Sequence, residues 1–102
     1  MIDYILEKTS HGELLAQLAE EAAELGHAAL KLRRAVTGAS PTPVSEAQAV
    51  AAVIEEIADV RLLLRLLGFD LADAECERIM QEKLERWAAR LRAQEVESDG
   101  AS

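Results

Sequence analysis

Aromatic residues and turn-forming residues are scarce in this sequence. Tyr4, Phe69 and Trp87 are its aromatic side chains, and it contains five glycines and two prolines in 102 residues. Half of the residues are nonetheless hydrophobic, chiefly leucine and alanine. A chain with few strand-forming residues cannot build a sheet of any size, whereas leucine and alanine pack closely between helices. The composition therefore favours an all-α fold.

Cysteine and long apolar runs are also nearly absent. Cys76 is the single cysteine, so no intramolecular disulfide can form and a reducing compartment is indicated. Its plainest interpretation is a small buried hydrophobic residue. No apolar run approaches the ~20 residues that cross a membrane, and residues 1–8 lack the basic start of a signal peptide. We expect a cytoplasmic protein with no membrane partner.

Cations are in the minority. The sequence has 11 lysines and arginines against 19 aspartates and glutamates, which gives a formal net charge of −8. This balance argues against binding nucleic-acid polymers, which require a basic surface. The few aromatic side chains also leave no platform for stacking single-stranded bases. An acidic chain of this kind would need cations to bind a polyphosphate.

Serine-based capping boxes mark the starts of two long helices. Ser10 with Glu13 opens the first, and Ser45 with Gln48 opens the second. Asp70 is expected to cap a third long helix. The predicted helices cover residues 2–8, 11–36, 45–67 and 71–92. We expect one domain over 1–92, a loop over 37–44, and an acidic flexible tail over 93–102.

The second long helix is apolar on nearly every side, because leucine occupies positions 62, 63, 64, 66 and 67. A helix of this kind is buried, and a chain this short can cover only part of it. We therefore predict an antiparallel helical bundle completed by oligomerisation, as a homodimer or a dimer of dimers. The third long helix carries an apolar row that is also expected to be buried, formed by Cys76, Met80, Leu84, Trp87 and Leu91.

Two acid pairs interrupt the apolar rows of the first two long helices. Glu21 lies in the row formed by Leu14, Leu18, Leu25, Ala28 and Leu32. Glu56 lies in the row formed by Ala49, Val53, Val60, Leu63 and Leu67. Glu24 and Asp59 each follow three residues later, so each pair shares a helix face. A buried carboxylate costs free energy unless it is paired or bound to a metal.

The two pairs lie at matched depth on either side of the predicted loop. At about 1.5 Å per helical residue, Glu24 lies roughly 20 Å before the loop and Glu56 roughly 17 Å after it. Antiparallel helices would then place Glu24 opposite Glu56 and Glu21 opposite Asp59. Four converging carboxylates repel one another unless a divalent cation binds them, and oxygen ligands suit Mg²⁺ or Mn²⁺.

The segments EEAAEL (20–25) and EEIADV (55–60) resemble the MazG-like, all-α nucleoside triphosphate pyrophosphohydrolases, whose pattern is E-x-x-E, a spacer, then E-x-x-D. The similarity extends from about residue 10 to residue 91 and includes the stretch 82–86. It implies an Mg²⁺ site, which Mn²⁺ can also fill, with the ligands Glu21, Glu24, Glu56 and Asp59. It also implies that a nucleoside triphosphate is cleaved between its α and β phosphates, giving a nucleoside monophosphate and pyrophosphate.

A basic edge on the third long helix has two interpretations. Lys83, Arg86 and Arg90 follow one another at spacings of three and four. The pattern alone favours a solvated face on which Glu82 and Glu85 are intrahelical partners. The family resemblance instead implies that Lys83 and Arg86 bind substrate phosphates.

Glu20 and Glu55, the first members of the two glutamate doublets, are the candidate catalytic residues. They lie about 100° round the helix from the predicted ligands. They are either solvated or orient the ligands and position water, and the sequence favours neither.

The alternative to an enzyme is a non-enzymatic helical interaction module whose acids form a cation-binding groove. Mg²⁺-dependent release of pyrophosphate separates the two hypotheses.

Overall fold

The computed structural model describes residues 1–38 and 44–101, and within these ranges the secondary structure is helical. Helix α1 covers Ile2–Lys8, α2 covers His11–Thr37, α3 covers Glu46–Leu66 and α4 covers Asp73–Ala101, with a 3₁₀ turn at Phe69–Ala72. No strand occurs in the described ranges, so the prediction of an all-α fold is confirmed. Most of the loop predicted over 37–44 lies outside them.

The starts of α2 and α3 follow from their serine caps. The Ser10 hydroxyl accepts a hydrogen bond from the Glu13 amide at 3.1 Å. At α3 the capping box is complete: Ser45 Oγ accepts from the Gln48 amide at 3.1 Å, and the Ser45 amide donates to Gln48 Oε1 at 2.9 Å. Both helix starts agree with the prediction.

Helix α2 ends at Gly38, whose left-handed conformation, with φ of 64°, suits glycine. The Gly38 amide donates to the Arg34 carbonyl at 2.9 Å. Glycine at this position therefore satisfies one of the carbonyls that the helix end leaves without a partner.

Helices α2 and α3 pack against each other and run antiparallel. Leu14, near the start of α2, is buried against Leu63 and Leu66 at the end of α3. Leu18 and Leu67 pack against this cluster and are partly buried. Because the beginning of one helix contacts the end of the other, the prediction of antiparallel packing is confirmed for this pair.

Two compact units make up the chain, one covering Met1–Phe69 and a second beginning at Asp70. The first contains α1, α2 and α3, and the second contains α4. The predicted limits of α4 are wrong. The helix starts at Asp73, after the 3₁₀ turn, and it continues past Arg92 to Ala101. Alanine, glutamine and glutamate in the segment predicted as a tail are good helix formers, which explains the extension.

The apolar row of α4 is exposed, contrary to the prediction. Cys76 is exposed, and Leu84 and Trp87 expose 58% and 59% of their surface. No other long helix belongs to the second unit, so nothing within that unit covers the row. On α3, Ile54 and Leu62 are also exposed, at 60% and 50%. Whether a second subunit covers these faces stays a prediction. None of the described helices combines the length and hydropathy of a membrane span.

Candidate metal centre

Three carboxylates from two helices meet inside the first unit. Glu21 on α2 and Glu56 and Asp59 on α3 are each half-buried, and each offers an oxygen atom within 4.8 Å of the others. We call these residues the three-carboxylate group. It lies between the packed faces of the two helices, where apolar side chains are expected.

The register of α2 and α3 explains why these acids meet. Glu21 follows Leu14 by seven residues, while Glu56 and Asp59 precede Leu63 and Leu66 by seven. Seven residues make about two helical turns, so the packing of Leu14 between the two leucines is repeated two turns further along. Glu21 consequently lies against both acids of α3.

One carboxylate oxygen of the group has no partner. Glu56 Oε2 is buried, and no described residue donates a hydrogen bond to it. Among the described residues, no lysine or arginine forms an ion pair with Glu21, Glu56 or Asp59, so no cation of the chain there neutralises the group. A buried, unpaired carboxylate oxygen is costly, and a proton or a bound cation would remove that cost.

The pKa of Glu21 reflects the close spacing of these carboxylates. A hydrogen bond with Glu56, partial burial, and the charges of Asp59 and Glu56 raise the pKa of Glu21 from 4.5 to about 7. That hydrogen bond requires a protonated Glu21, since two ionised carboxylates have no proton to share. When Glu21 ionises, this hydrogen bond is lost and the repulsion among the three carboxylates is at its greatest.

The donor set fits a hard divalent cation. Carboxylate oxygens are the ligands that Mg²⁺ and Mn²⁺ prefer, and both ions complete their coordination with water or phosphate oxygens. The unpartnered oxygen of Glu56 is a second reason to expect a cation, because no described residue donates a hydrogen bond to that atom.

Glu24 is not part of the three-carboxylate group. Its side chain is exposed on α2, three residues after Glu21. The predicted proximity of Glu21 and Asp59 is observed, but Glu56 also lies against Glu21, and Glu24, predicted to face Glu56, does not join the group. The role of Glu24 as a fourth ligand stays a prediction from the family resemblance.

The remaining predicted site residues lie on exposed surfaces. Glu20 and Glu55 are exposed, each next to a member of the group in sequence, and their position does not choose between a solvated and a catalytic role. Lys83 and Arg86 are exposed on α4 in the second unit. The acids expected to pair with them are engaged elsewhere: Glu82 accepts from Arg78 at 2.7 Å, and Glu85 accepts from Gln81 at 3.2 Å.

The sequence interpretation missed a cleft that adjoins the three-carboxylate group. The cleft has a volume of about 270 Å³, and Gln17, Glu21, Asp59 and Leu62 contribute to its lining. The spacing of Gln17 and Glu21, four residues apart on one helix face, is the signal that could have indicated it.

Comparisons of the chain with family models, with curated proteins and with solved structures find no match. The resemblance to pyrophosphohydrolases therefore stays an expectation that depends on the acid motifs. Fold and site together define an all-α protein with a candidate three-carboxylate cation site.

Proposed function

We propose that this chain is an Mg²⁺-dependent nucleoside triphosphate pyrophosphohydrolase. It would cleave its substrate between the α and β phosphates, releasing a nucleoside monophosphate and pyrophosphate, in a house-cleaning or pool-regulating role. The observation that carries this proposal is the convergence of Glu21, Glu56 and Asp59, with a buried Glu56 oxygen that lacks a donor. The acid motifs that resemble the family contain all three residues.

The chain's own residues would hold the cation between α2 and α3. When bound, Mg²⁺ supplies charge neutralisation at phosphate oxygens and lowers the pKa of a coordinated water. Because the ligands come from both helices, the site depends on the folded hairpin. We assign Glu20 and Glu55 to orienting the ligands and accepting a proton from the attacking water.

Lys83 and Arg86 are proposed to bind the phosphates of the substrate. Neither forms an ion pair with another described residue, since Glu82 and Glu85 have other partners. An arginine guanidinium can donate two parallel hydrogen bonds to a phosphate, and lysine adds a compact positive charge. A chain with a net charge of −8 requires such local positive charge to bind a polyphosphate.

The proposal is tested by incubating the full chain with a panel of ribo- and deoxyribonucleoside triphosphates and measuring pyrophosphate. We expect equal amounts of pyrophosphate and nucleoside monophosphate with Mg²⁺, and neither when a chelator is added. If Mg²⁺ and Mn²⁺ bind but no triphosphate is cleaved, the interaction module with a cation-binding groove becomes the better account. Release of inorganic phosphate in place of pyrophosphate would contradict the assigned bond.

A further inference from the structure

The cleft beside the three-carboxylate group has a charged end and an apolar wall. Glu21 and Asp59 form the charged end, while the wall consists of Ile5 and four leucines, Leu14, Leu62, Leu63 and Leu66, and is called the leucine wall. All of these residues belong to the first unit. A ligand whose phosphates reach a cation at Glu21 and Asp59 would therefore place its uncharged part against the leucines.

Gln17 supplies an uncharged hydrogen-bonding group to this cleft. It lies one turn before Glu21 on the same face of α2 and lines the cleft together with Thr9. No described residue forms a hydrogen bond with its side chain. The Gln17 amide, which can both donate and accept, is consequently available to a ligand.

The leucine wall can select only weakly among bases. Of the described residues that line the cleft, none is aromatic, so a base would not be held by stacking on a ring. Apolar contacts separate ligands of similar size by roughly 10- to 200-fold, whereas a group that must hydrogen bond its ligand can discriminate by about 10⁴-fold or more. The amide of Gln17 is therefore a better candidate than the leucine wall for distinguishing one base from another.

We propose that Gln17 determines which nucleotide this chain accepts, by hydrogen bonding to the polar edge of a base that lies against the leucine wall. The inference rests on the proposed function for the identity of the substrate. Its structural basis is the cleft and the Gln17 amide, which has no hydrogen-bond partner among the described residues. The role of Gln17 and the proposed hydrolysis can therefore be tested, and can fail, independently.

The first experiment measures kcat/KM for each nucleoside triphosphate with the wild-type chain and with Gln17→Leu. Gln94→Leu is the matched control, because Gln94 is an exposed glutamine on α4. We expect Gln17→Leu to lower the ratio between the best and the second-best base by about tenfold or more. Mg²⁺ binding, measured by calorimetry, should stay unchanged. An unchanged ratio, or an equal loss for every base, would overturn the assignment of Gln17.

A second experiment does not depend on hydrolysis. Binding of nucleoside monophosphates is measured by calorimetry for the wild type, for Gln17→Leu and for Leu62→Trp. Leu62 is half-exposed, so a tryptophan there fills the cleft without crowding the core, and Leu30→Trp on the exposed side of α2 is its control. We expect the wild type to bind monophosphates with an affinity that depends on the base. Leu62→Trp should abolish this binding, and Gln17→Leu should make the affinity the same for every base.

The outcomes separate the two proposals. If no triphosphate is cleaved but monophosphates bind in the expected way, the proposed function fails and the role of Gln17 stands. If triphosphates are cleaved but Leu62→Trp and Gln17→Leu leave monophosphate binding unchanged, the cleft is not the base site and Gln17 is not its reader. Absence of any monophosphate binding by the wild type also overturns the inference.

Discussion

Glu56 places a carboxylate oxygen in a buried position where no described residue donates a hydrogen bond to it. An acid retained for stability would have a buried cationic partner, and its loss would leave that partner unpaired. Glu56 instead faces another acid, Glu21, whose pKa is raised by the contact. This arrangement is unfavourable in the metal-free protein, which is the expected cost of an acid kept for binding a cation.

Glu56→Gln separates function from stability. We expect it to lower Mg²⁺-dependent hydrolysis at least about a hundredfold and to weaken Mg²⁺ binding, because a ligand charge is lost. The metal-free protein should keep its melting temperature or gain a few degrees, because the new amide can donate to a neighbouring carboxylate. Hydrolysis assays, calorimetry and thermal unfolding with a chelator measure these effects. Full activity, or an unfolded metal-free variant, would contradict the site.

The matched comparison for this variant is Glu24→Gln. Glu24 lies outside the three-carboxylate group, so its substitution should weaken Mg²⁺ binding less than Glu56→Gln does. Equal losses for the two variants would show that Glu24 is a ligand, as the family resemblance implies. Glu77→Gln, at an exposed position on α4, controls for the loss of one negative charge.

The raised pKa of Glu21 predicts a pH dependence of stability. The folded protein holds this proton more tightly than the unfolded chain does, because the pKa is about 7 in the fold against 4.5 ordinarily. The contribution of Glu21 to the free energy of unfolding of the metal-free protein should therefore be greatest below the lower value, fall as pH rises between the two, and level off above the higher. Urea unfolding with a chelator at several pH values measures this. Glu21→Gln should remove the Glu21 contribution to the slope.

Stabilisation of the protein by Mg²⁺ should become larger as pH rises. A cation competes with the proton on Glu21, so the increase in melting temperature caused by Mg²⁺ should grow as pH rises through about 7. A stabilisation by Mg²⁺ that is independent of pH over this range would indicate that the ion binds away from Glu21.

At the scale of the elements, the α2–α3 hairpin holds the acids in register. Leu14→Ala should destabilise the protein by about 2–5 kcal/mol, because Leu14 is buried between Leu63 and Leu66 and leaves a cavity when truncated. Leu30→Ala, the same change at a side chain that is half-exposed on α2, should cost much less. Denaturant unfolding measures both values. Similar costs for the two would contradict the described packing.

Helix α4 provides the test of phosphate binding. Arg86→Ala should lower kcat/KM for a triphosphate roughly ten- to hundredfold, the value of a charge-assisted hydrogen bond, while Mg²⁺ binding stays intact. Arg92→Ala, at an exposed arginine further along α4, is the matched control. Equal values of kcat/KM for the two variants would show that Lys83 and Arg86 belong to a solvated face and do not bind phosphate.

For the whole molecule, the exposed apolar side chains predict association. Ile54 on α3 and Leu84 and Trp87 on α4 each expose more than half of their surface, and other apolar residues of these helices are exposed beside them. Faces of this kind on a monomer usually mark an interaction surface. We expect a homodimer or a dimer of dimers at micromolar concentration, measured by light scattering, and Ile54→Glu should shift it toward monomer. A wild-type monomer at that concentration would contradict the prediction.

The sequence alone determined the starts of α2 and α3 and the positions of the unusual acids. The complete capping box at Ser45 and the hydroxyl cap at Ser10 depend on residues three apart, so these helix starts were predictable from local chemistry. The positions of Glu21 and Glu56 in apolar rows were equally readable, because the helical period places them there. The end of α4 could not be predicted in this way, because a frayed tail rich in helix-forming residues and a continuing helix have the same local sequence pattern.

Only the tertiary structure decided which acids meet. Caps and periodicity fix the face that each residue occupies on its own helix, but they leave open how far one helix slides along the other. The packing of Leu14 between Leu63 and Leu66 sets that register, and it brings Glu21 against both Glu56 and Asp59 while leaving Glu24 outside. The cleft at Gln17 has the same origin, because its walls come from separate helices and exist only once those helices have packed.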